Sequence, residues 1–178
     1  MPPSPLLYDA VTLRHFSSCG RLDICEQLHA ALPTPRWVEE VEREIRRANS
    51  RFPECSAILA APWLGSPMAP TGTTEQLAIR RLQIRLNGGA SGDLGEAQSI
   101  YFAGIFGGTF ATDDNTAFSF AERSLGAGRV VDTVDILRQA VAVRHISRTD
   151  AASVVTAIRS SGRHLRRARN SVRTAADF

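Results

Sequence analysis

Lysine is missing from this chain of 178 residues, and all 21 of its positively charged side chains are arginines. The absence excludes chemistries that need a lysine amine, such as Walker-type phosphate loops, Schiff bases and protein-kinase catalysis. Cysteine is scarce as well. Cys19, Cys25 and Cys55 are odd in number and form no CxxC pair, which favours reduced thiols over disulfides or a zinc site.

Long apolar runs are also missing. No run approaches the roughly 20 residues needed to span a bilayer. The amino terminus, MPPSPLLYDA, lacks the basic region and the apolar stretch of a signal peptide. We therefore expect a cytoplasmic protein, whose length suits one domain with a proper core.

The net charge of +3 is distributed unevenly along the chain. Residues 144–178 carry eight arginines and two acidic residues, whereas the rest of the chain carries 13 arginines and 16 acidic residues. An acidic body with a basic tail points toward nucleic acid or an acidic partner.

Short apolar segments alternate with segments of helical periodicity. Strands are expected at 5–9, 34–37, 109–112 and 129–131, with a possible strand at 56–63. Helices are expected at 11–18, 21–32, 38–48, 74–86, about 91–106, 115–125, 133–142 behind a threonine cap, and from about 149 onward. This alternation predicts an α/β fold in which helices cover both faces of a mainly parallel sheet. We expect a domain over residues 1–145 and a helical, arginine-rich extension over 146–178 that packs on it or trails from it.

Acidic residues stand where apolar segments end or helices begin. Asp9, Asp113 and Asp114 follow predicted strands, and Glu40 and Glu96 lie in the first turns of predicted helices. Sites in open parallel sheets form outside the carboxyl ends of the strands. Carboxylates gathered there would raise each other's pKa, and a divalent cation would turn the cluster into a binding site. The pattern is typical of a metal-dependent phosphodiester hydrolase.

The order of these motifs resembles the PIN domain family, closest to the toxin components of bacterial toxin–antitoxin pairs. The motifs are the strand ending at Asp9, then SSCGRLDIC, PRWVEEV, LGEAQSI, ATDDNTA and VVDTVDIL. The resemblance covers about residues 6–137 and extends weakly to about 159. The long, proline-rich segment 49–73 and the arginine-rich tail depart from the compact family pattern.

The resemblance implies a three-layer α/β/α sandwich and Mg²⁺- or Mn²⁺-dependent endoribonuclease activity. It further implies an antitoxin partner and a possible homodimer. The implied catalytic acids are Asp9, Glu40, Glu96 and Asp114, and the implied metal ligands are Asp9, Glu96, Asp114 and the adjacent Asp113.

Residues around these acids have both functional and structural interpretations. Thr112 and Asn115 could position water or phosphate, or could satisfy backbone groups of a turn. Spacings of three and four residues would place tail arginines on one helix, where they could bind RNA phosphates or merely solubilise the terminus. These RNA-binding candidates are Arg159, Arg163, Arg166 and Arg167.

Each acid also has a structural interpretation. Asp9 and either Asp113 or Asp114 could cap helices, and Glu96 could complement a helix dipole. Three of the four glutamates at 39, 40, 42 and 44 are interpreted as a solvated helix face. Two other functions stay open: a PIN-like module that binds RNA or protein without cutting, and another metal-dependent phosphodiesterase such as a DNA nuclease.

Overall fold

The computed structural model of the protein describes residues 4–29, 36–88 and 92–178, apart from the side chain of residue 29. Helices surround a short sheet in these residues. The strands are β1 (Leu6–Tyr8), β2 (Thr109–Ala111) and β3 (Val130–Val131). The helices are α1 (Ala10–Ser18), α2 (Leu22–His29), α3 (Glu39–Ala48), α4 (Cys55–Leu59), α5 (Thr73–Asn87), α6 (Leu94–Ile105), α7 (Asn115–Leu125), α8 (Thr133–Ala142) and α9 (Arg148–Ser160).

The three strands are parallel and lie in the order β1-β2-β3. Tyr8 pairs with Ala111 at the end of β1, and Ala111 pairs with Val131 at the end of β3. The carboxyl ends of all three strands therefore meet at one edge of the sheet, which we call the site edge. The α/β class and the parallel sheet are confirmed, and the architecture is compatible with three α/β/α layers.

The core lies between the sheet and its helices. Leu7 and Tyr8 of β1 and Phe110 of β2 are fully buried, and the buried side chains of α6 pack against β1 and β2. A strand with apolar side chains on both faces needs covering layers on both sides. This burial explains why such short strands are held in place.

Most predicted elements occur within two residues of their expected bounds, but two predictions for the chain before α9 were wrong. Residues 56–63 form no strand, because Cys55 and Ile58 are buried three residues apart on one face of α4 and a 3₁₀ turn follows at Pro62–Leu64. The cap of α8 is Asp132 rather than a threonine, since its carboxylate accepts from the N–H of Asp135. The strand expected at 34–37 lies partly outside the described residues, as does the end of the helix expected at 21–32.

The carboxyl-terminal segment beyond α9 is not the expected continuous helix. α9 ends at Ser160, and only 3₁₀ turns at Arg167–Arg169 and Ala175–Asp177 follow. Gly162 has a φ of +76°, the left-handed conformation that commonly ends helices. Leu165 and Val172 are nevertheless buried, so this segment packs on the domain.

Across the described ranges, no helix combines the length and the apolar composition needed to cross a membrane.

Candidate functional site

Asp9 lies at the base of the site edge. It follows β1 and caps α1, where its carboxylate accepts from the backbone N–H of Thr12 at 2.6 Å. The hydroxyl of Thr112, which follows β2, donates to the other oxygen of Asp9 at 2.5 Å. Asp9 is only 2% exposed, so strand pairing fixes a buried carboxyl group at this edge.

Thr112 also connects Asp9 to the end of β2. Its hydroxyl oxygen accepts from the backbone N–H of Asp114 at 3.1 Å, and Thr112 itself is fully buried. The side chain therefore orients Asp9 and satisfies a backbone group of the turn, and its role in positioning water or phosphate stays a prediction.

α3 and α6 bring two further carboxyl groups to the same region. Glu96 lies half-buried in the first turn of α6, and Glu44 lies half-buried on α3. The Glu44 carboxyl group rests on the backbone of Gly95, where an added Cβ would come within 2.9 Å of Glu44 Oε1. Contact between α3 and α6 thus places Glu44 beside the turn that carries Glu96.

The charges of these acids interact. The pKa values of Asp9, Glu44 and Glu96 are each raised to about 7, chiefly by burial. Neighbouring negative charge contributes to this rise: Glu96 acts on Asp9, Asp9 on Glu44, and Glu44 on Glu96. Among the described residues, none of the three forms an ion pair with an arginine or histidine. We call these three residues the acidic cleft.

Asp114 stands exposed beside the acidic cleft. Its carboxylate accepts from the N–H of Ala117 at 2.7 Å and caps α7, and its charge raises the pKa of Glu96. Asp114 is therefore a helix cap whose charge reaches the cleft. Asn115, also exposed, accepts from the backbone N–H of Arg167 at 3.2 Å, a contact to the carboxyl-terminal segment.

Asp113 is buried, and both oxygens of its carboxylate have partners within the protein. Its carboxylate accepts from the hydroxyl of Thr133 at 2.5 Å and lies 3.3 Å from Nδ1 of His15. It also accepts from the N–H of Arg166 at 3.3 Å. Although burial raises its pKa, the contacts with His15 and Thr133 hold the pKa of Asp113 below its ordinary value. These contacts favour a structural role over the predicted role as a metal ligand.

Glu40, predicted as a catalytic acid, differs from Glu44 in its partners. Its carboxylate pairs with Arg43 at 3.1 Å and with Arg47. The solvated face expected for three of the four α3 glutamates does not include Glu44, which is half-buried. A signal was present, because Glu44 lies next to the buried Ile45 and one turn after Glu40, on a face shared with Glu40 and Val41.

A surface cavity of about 460 Å³ opens beside the acidic cleft. Glu44 lines it together with Arg47 and Arg80, which supply positive charge at the border of the acids. Guanidinium groups in this position could contact the phosphates of a nucleic acid.

The donor set of the acidic cleft consists of carboxylate oxygens. In the described part of the chain, no group of three or more histidine, cysteine, aspartate or glutamate side chains lies close enough together to hold a metal ion. Glu44 lines the surface cavity and Asp9 is buried, and the three acids do not form a closed cage.

The tail arginines do not share one helical face, contrary to the prediction. Arg159 donates to the backbone oxygens of three tail residues, Arg163 pairs with Glu54, and Arg166 pairs with Asp132 at 2.9 Å. Arg166 also lies 3.8 Å from the ring centre of Phe118. The side chain of Arg167 is exposed.

Comparison of the chain with protein-family models, with curated proteins and with solved structures finds no match. The likeness to the PIN family therefore rests on the order of its motifs, and it stays a prediction.

Proposed function

We propose that this protein is a metal-dependent endoribonuclease that hydrolyses RNA phosphodiester bonds at the acidic cleft. The observation that carries the proposal is the position of Asp9, Glu44 and Glu96. These three carboxyl groups gather near the carboxyl edge of a parallel sheet, and none of them forms an ion pair among the described residues, although the nearby charge of Arg47 lowers the pKa of Glu44. The negative charges of these carboxylates repel one another, and a bound cation relieves that repulsion.

The donors suit Mg²⁺ or Mn²⁺. Mg²⁺ takes oxygen ligands, keeps several waters, and is commonly held by one or two carboxylates rather than by an all-protein cage. One or two of the carboxylates of Asp9, Glu96 and Glu44 would hold the ion, since the three do not surround a single position, and Asp114 would add negative charge at the exposed side. When bound, the ion would supply Lewis-acid polarisation of a phosphoryl oxygen and lower the pKa of water.

The chain's own residues prepare this cleft. The bonds from Thr112 and from the N–H of Thr12 fix both oxygens of Asp9, so its orientation is set before substrate arrives. Arg47 and Arg80 stand where they could bind RNA phosphates next to Glu44. In this proposal they replace the tail arginines as the RNA-binding groups.

The biological role follows from the motif resemblance alone. On that basis we propose the toxin of a toxin–antitoxin pair, with a protein antitoxin and possible homodimer formation.

Cleavage of a mixed single-stranded RNA in Mg²⁺, Mn²⁺ or EDTA tests the activity. We expect metal-dependent cutting by the wild type and a loss of at least about 100-fold in Asp9→Asn and Glu96→Gln. Glu42→Gln is the matched control, because Glu42 carries the same charge on α3 but pairs with Arg46. Full activity in Asp9→Asn, or equal cutting in EDTA, would rule the proposal out.

A non-cleaving RNA-binding module is the second candidate. It is favoured by the open arrangement of the acids, which in the described residues places no three side chains around one ion. It predicts RNA that stays intact during long incubation with Mn²⁺, together with RNA binding that survives Asp9→Asn. Turnover of DNA with RNA untouched would instead identify a DNA nuclease.

A further inference from the structure

A second polar cavity lies at the opposite end of α1 from Asp9. Its volume is about 400 Å³, and the end of α1 and the end of α9 both border it. The lining residues are Arg14, Ser18, Phe52, Glu54, Ser161, Gly162 and Arg163. Nine residues of helix, about 13 Å, separate Ser18 from Asp9, so this cavity is distinct from the acidic cleft.

Arg14 is the unusual group in this wall. The residue is half-buried, and it forms no ion pair with a carboxylate in the described ranges. Its Nε atom is buried without a hydrogen-bond partner there, and its guanidinium lies 4.2 Å from the ring centre of Phe52 and approaches the thiol of Cys55. The charge of Glu54 raises the pKa of Arg14, but Glu54 forms its ion pair with Arg163. A partly buried guanidinium without an ion pair of its own is costly, which leaves a place for an anion.

The surroundings of Arg14 are positively charged overall. Arg163 lines the same cavity and lies 5.5 Å from the Phe52 ring centre, and Arg51 lies 5.2 Å from it. Burial, and then the charge of Arg163, lower the pKa of Arg14, while Cys55 and Glu54 raise it in part. Glu54 is the one carboxylate in the described lining, and it pairs with Arg163.

We propose that this cavity binds a phosphate group, held principally by Arg14 and secondarily by Arg163. A guanidinium presents parallel N–H donors that match two phosphate oxygens. The hydroxyls of Ser18 and Ser161, which lie 3.5 Å apart, add polar groups to the same wall. The phosphate can belong to a free ion or mononucleotide, or to a nucleic-acid backbone that crosses this face. The inference does not depend on the proposed nuclease activity.

Calorimetric titration of the full chain with inorganic phosphate, a nucleoside 5′-monophosphate and a short RNA in EDTA tests this site. We expect Arg14→Gln to bind the phosphate ligand about tenfold more weakly than the wild type. Arg81→Gln is the control, since Arg81 is an exposed arginine on α5 and its loss removes the same charge elsewhere. Binding of phosphate and monophosphate would identify a small ligand, and binding of RNA alone would identify a backbone contact.

A second variant keeps the test informative if Arg14→Gln does not fold. Glu54→Gln removes the carboxylate that competes for Arg163, so it should bind the phosphate ligand about threefold more tightly. If the ion pair of Glu54 and Arg163 had only a structural role, Glu54→Gln would not bind the phosphate ligand more tightly. The proposal is overturned if the wild type binds none of the three ligands. It is also overturned if Arg81→Gln weakens binding as much as Arg14→Gln, or if Glu54→Gln fails to tighten it.

Discussion

Replacing Asp9 by asparagine removes one charge from the acidic cleft and keeps the cap of α1. Asparagine and aspartate are equally good at this position, so the bond from the N–H of Thr12 can be retained. We expect Asp9→Asn to raise the free energy of unfolding of the metal-free protein at pH 8. At pH 5 we expect a much smaller change.

The magnitude follows from the pKa of Asp9. In the folded protein it is raised from 3.8 to about 7, so the folded state retains a proton that the unfolded chain has already released at intermediate pH. Stability contributed by this group is therefore lost as pH rises through that interval and does not return above it. The two pH units between 5 and 7 correspond to about 2.7 kcal/mol for one isolated group. Interaction with Glu44 and Glu96 spreads the titration, so we expect a difference of about 1–2 kcal/mol between pH 5 and pH 8.

Urea unfolding in EDTA at pH 5, 6.5 and 8 measures this difference. Glu42→Gln is the control, because it removes a charge from α3 at a residue paired with Arg46 and should show little of this pH dependence. The reasoning is refuted if Asp9→Asn is less stable than the wild type at pH 8. It is also refuted if the two proteins differ equally at all three pH values.

Two further substitutions test the packing around the site edge. Arg166→Gln should lower the free energy of unfolding by about 1–2 kcal/mol, because it removes one of two arginine partners of the fully buried Asp132 and leaves Arg169 in place. Arg167→Gln should change it by less than about 0.5 kcal/mol, and equal urea midpoints for the two variants would contradict this. Gly108→Ala should cost at least about 2 kcal/mol, because its Cβ would lie 2.4 Å from a backbone oxygen at the entry to β1. The control Gly104→Ala, whose Cβ meets its nearest neighbour at 3.7 Å, should be neutral or stabilising, and equal melting temperatures for the two variants would contradict the assignment.

Local patterns predicted the elements of the site edge. The short apolar run before Asp9 and the turn residues around Asp113 and Asp114 marked strand ends, and parallel pairing then placed Asp9 beside Thr112. The prediction that Asp9 and Glu96 face one region follows from strand and helix ends alone. It needs no knowledge of side-chain packing.

Tertiary contacts decided what the sequence pattern could not. Glu40 and Glu44 occupy the same face of α3, and only the nearby arginines and the backbone of Gly95 distinguish their environments. Asp113 and Asp114 are adjacent, yet contacts from α1, α8 and the carboxyl-terminal segment bury Asp113 alone. These partners lie far away in sequence, so residue spacing carries no information about them.

In the carboxyl-terminal segment, residue spacing predicted the wrong secondary structure. Arginines spaced by three and four residues predicted one helix, but Gly162 takes a positive φ and α9 ends. Arg166 and Arg169 of the segment beyond α9 form ion pairs with the buried Asp132, so these contacts stabilise the fold.

The central claim is that the acidic cleft binds a divalent cation, and calorimetric titration with Mn²⁺ tests it most directly. At pH 8 we predict that the wild type binds Mn²⁺, that Glu96→Gln binds it at least about tenfold more weakly, and that Glu42→Gln binds it as the wild type does. At pH 5 we predict weaker binding by the wild type, because protons then occupy the acids of the cleft. Absence of Mn²⁺ binding at pH 8, or equal binding by Glu96→Gln and the wild type, would contradict the account.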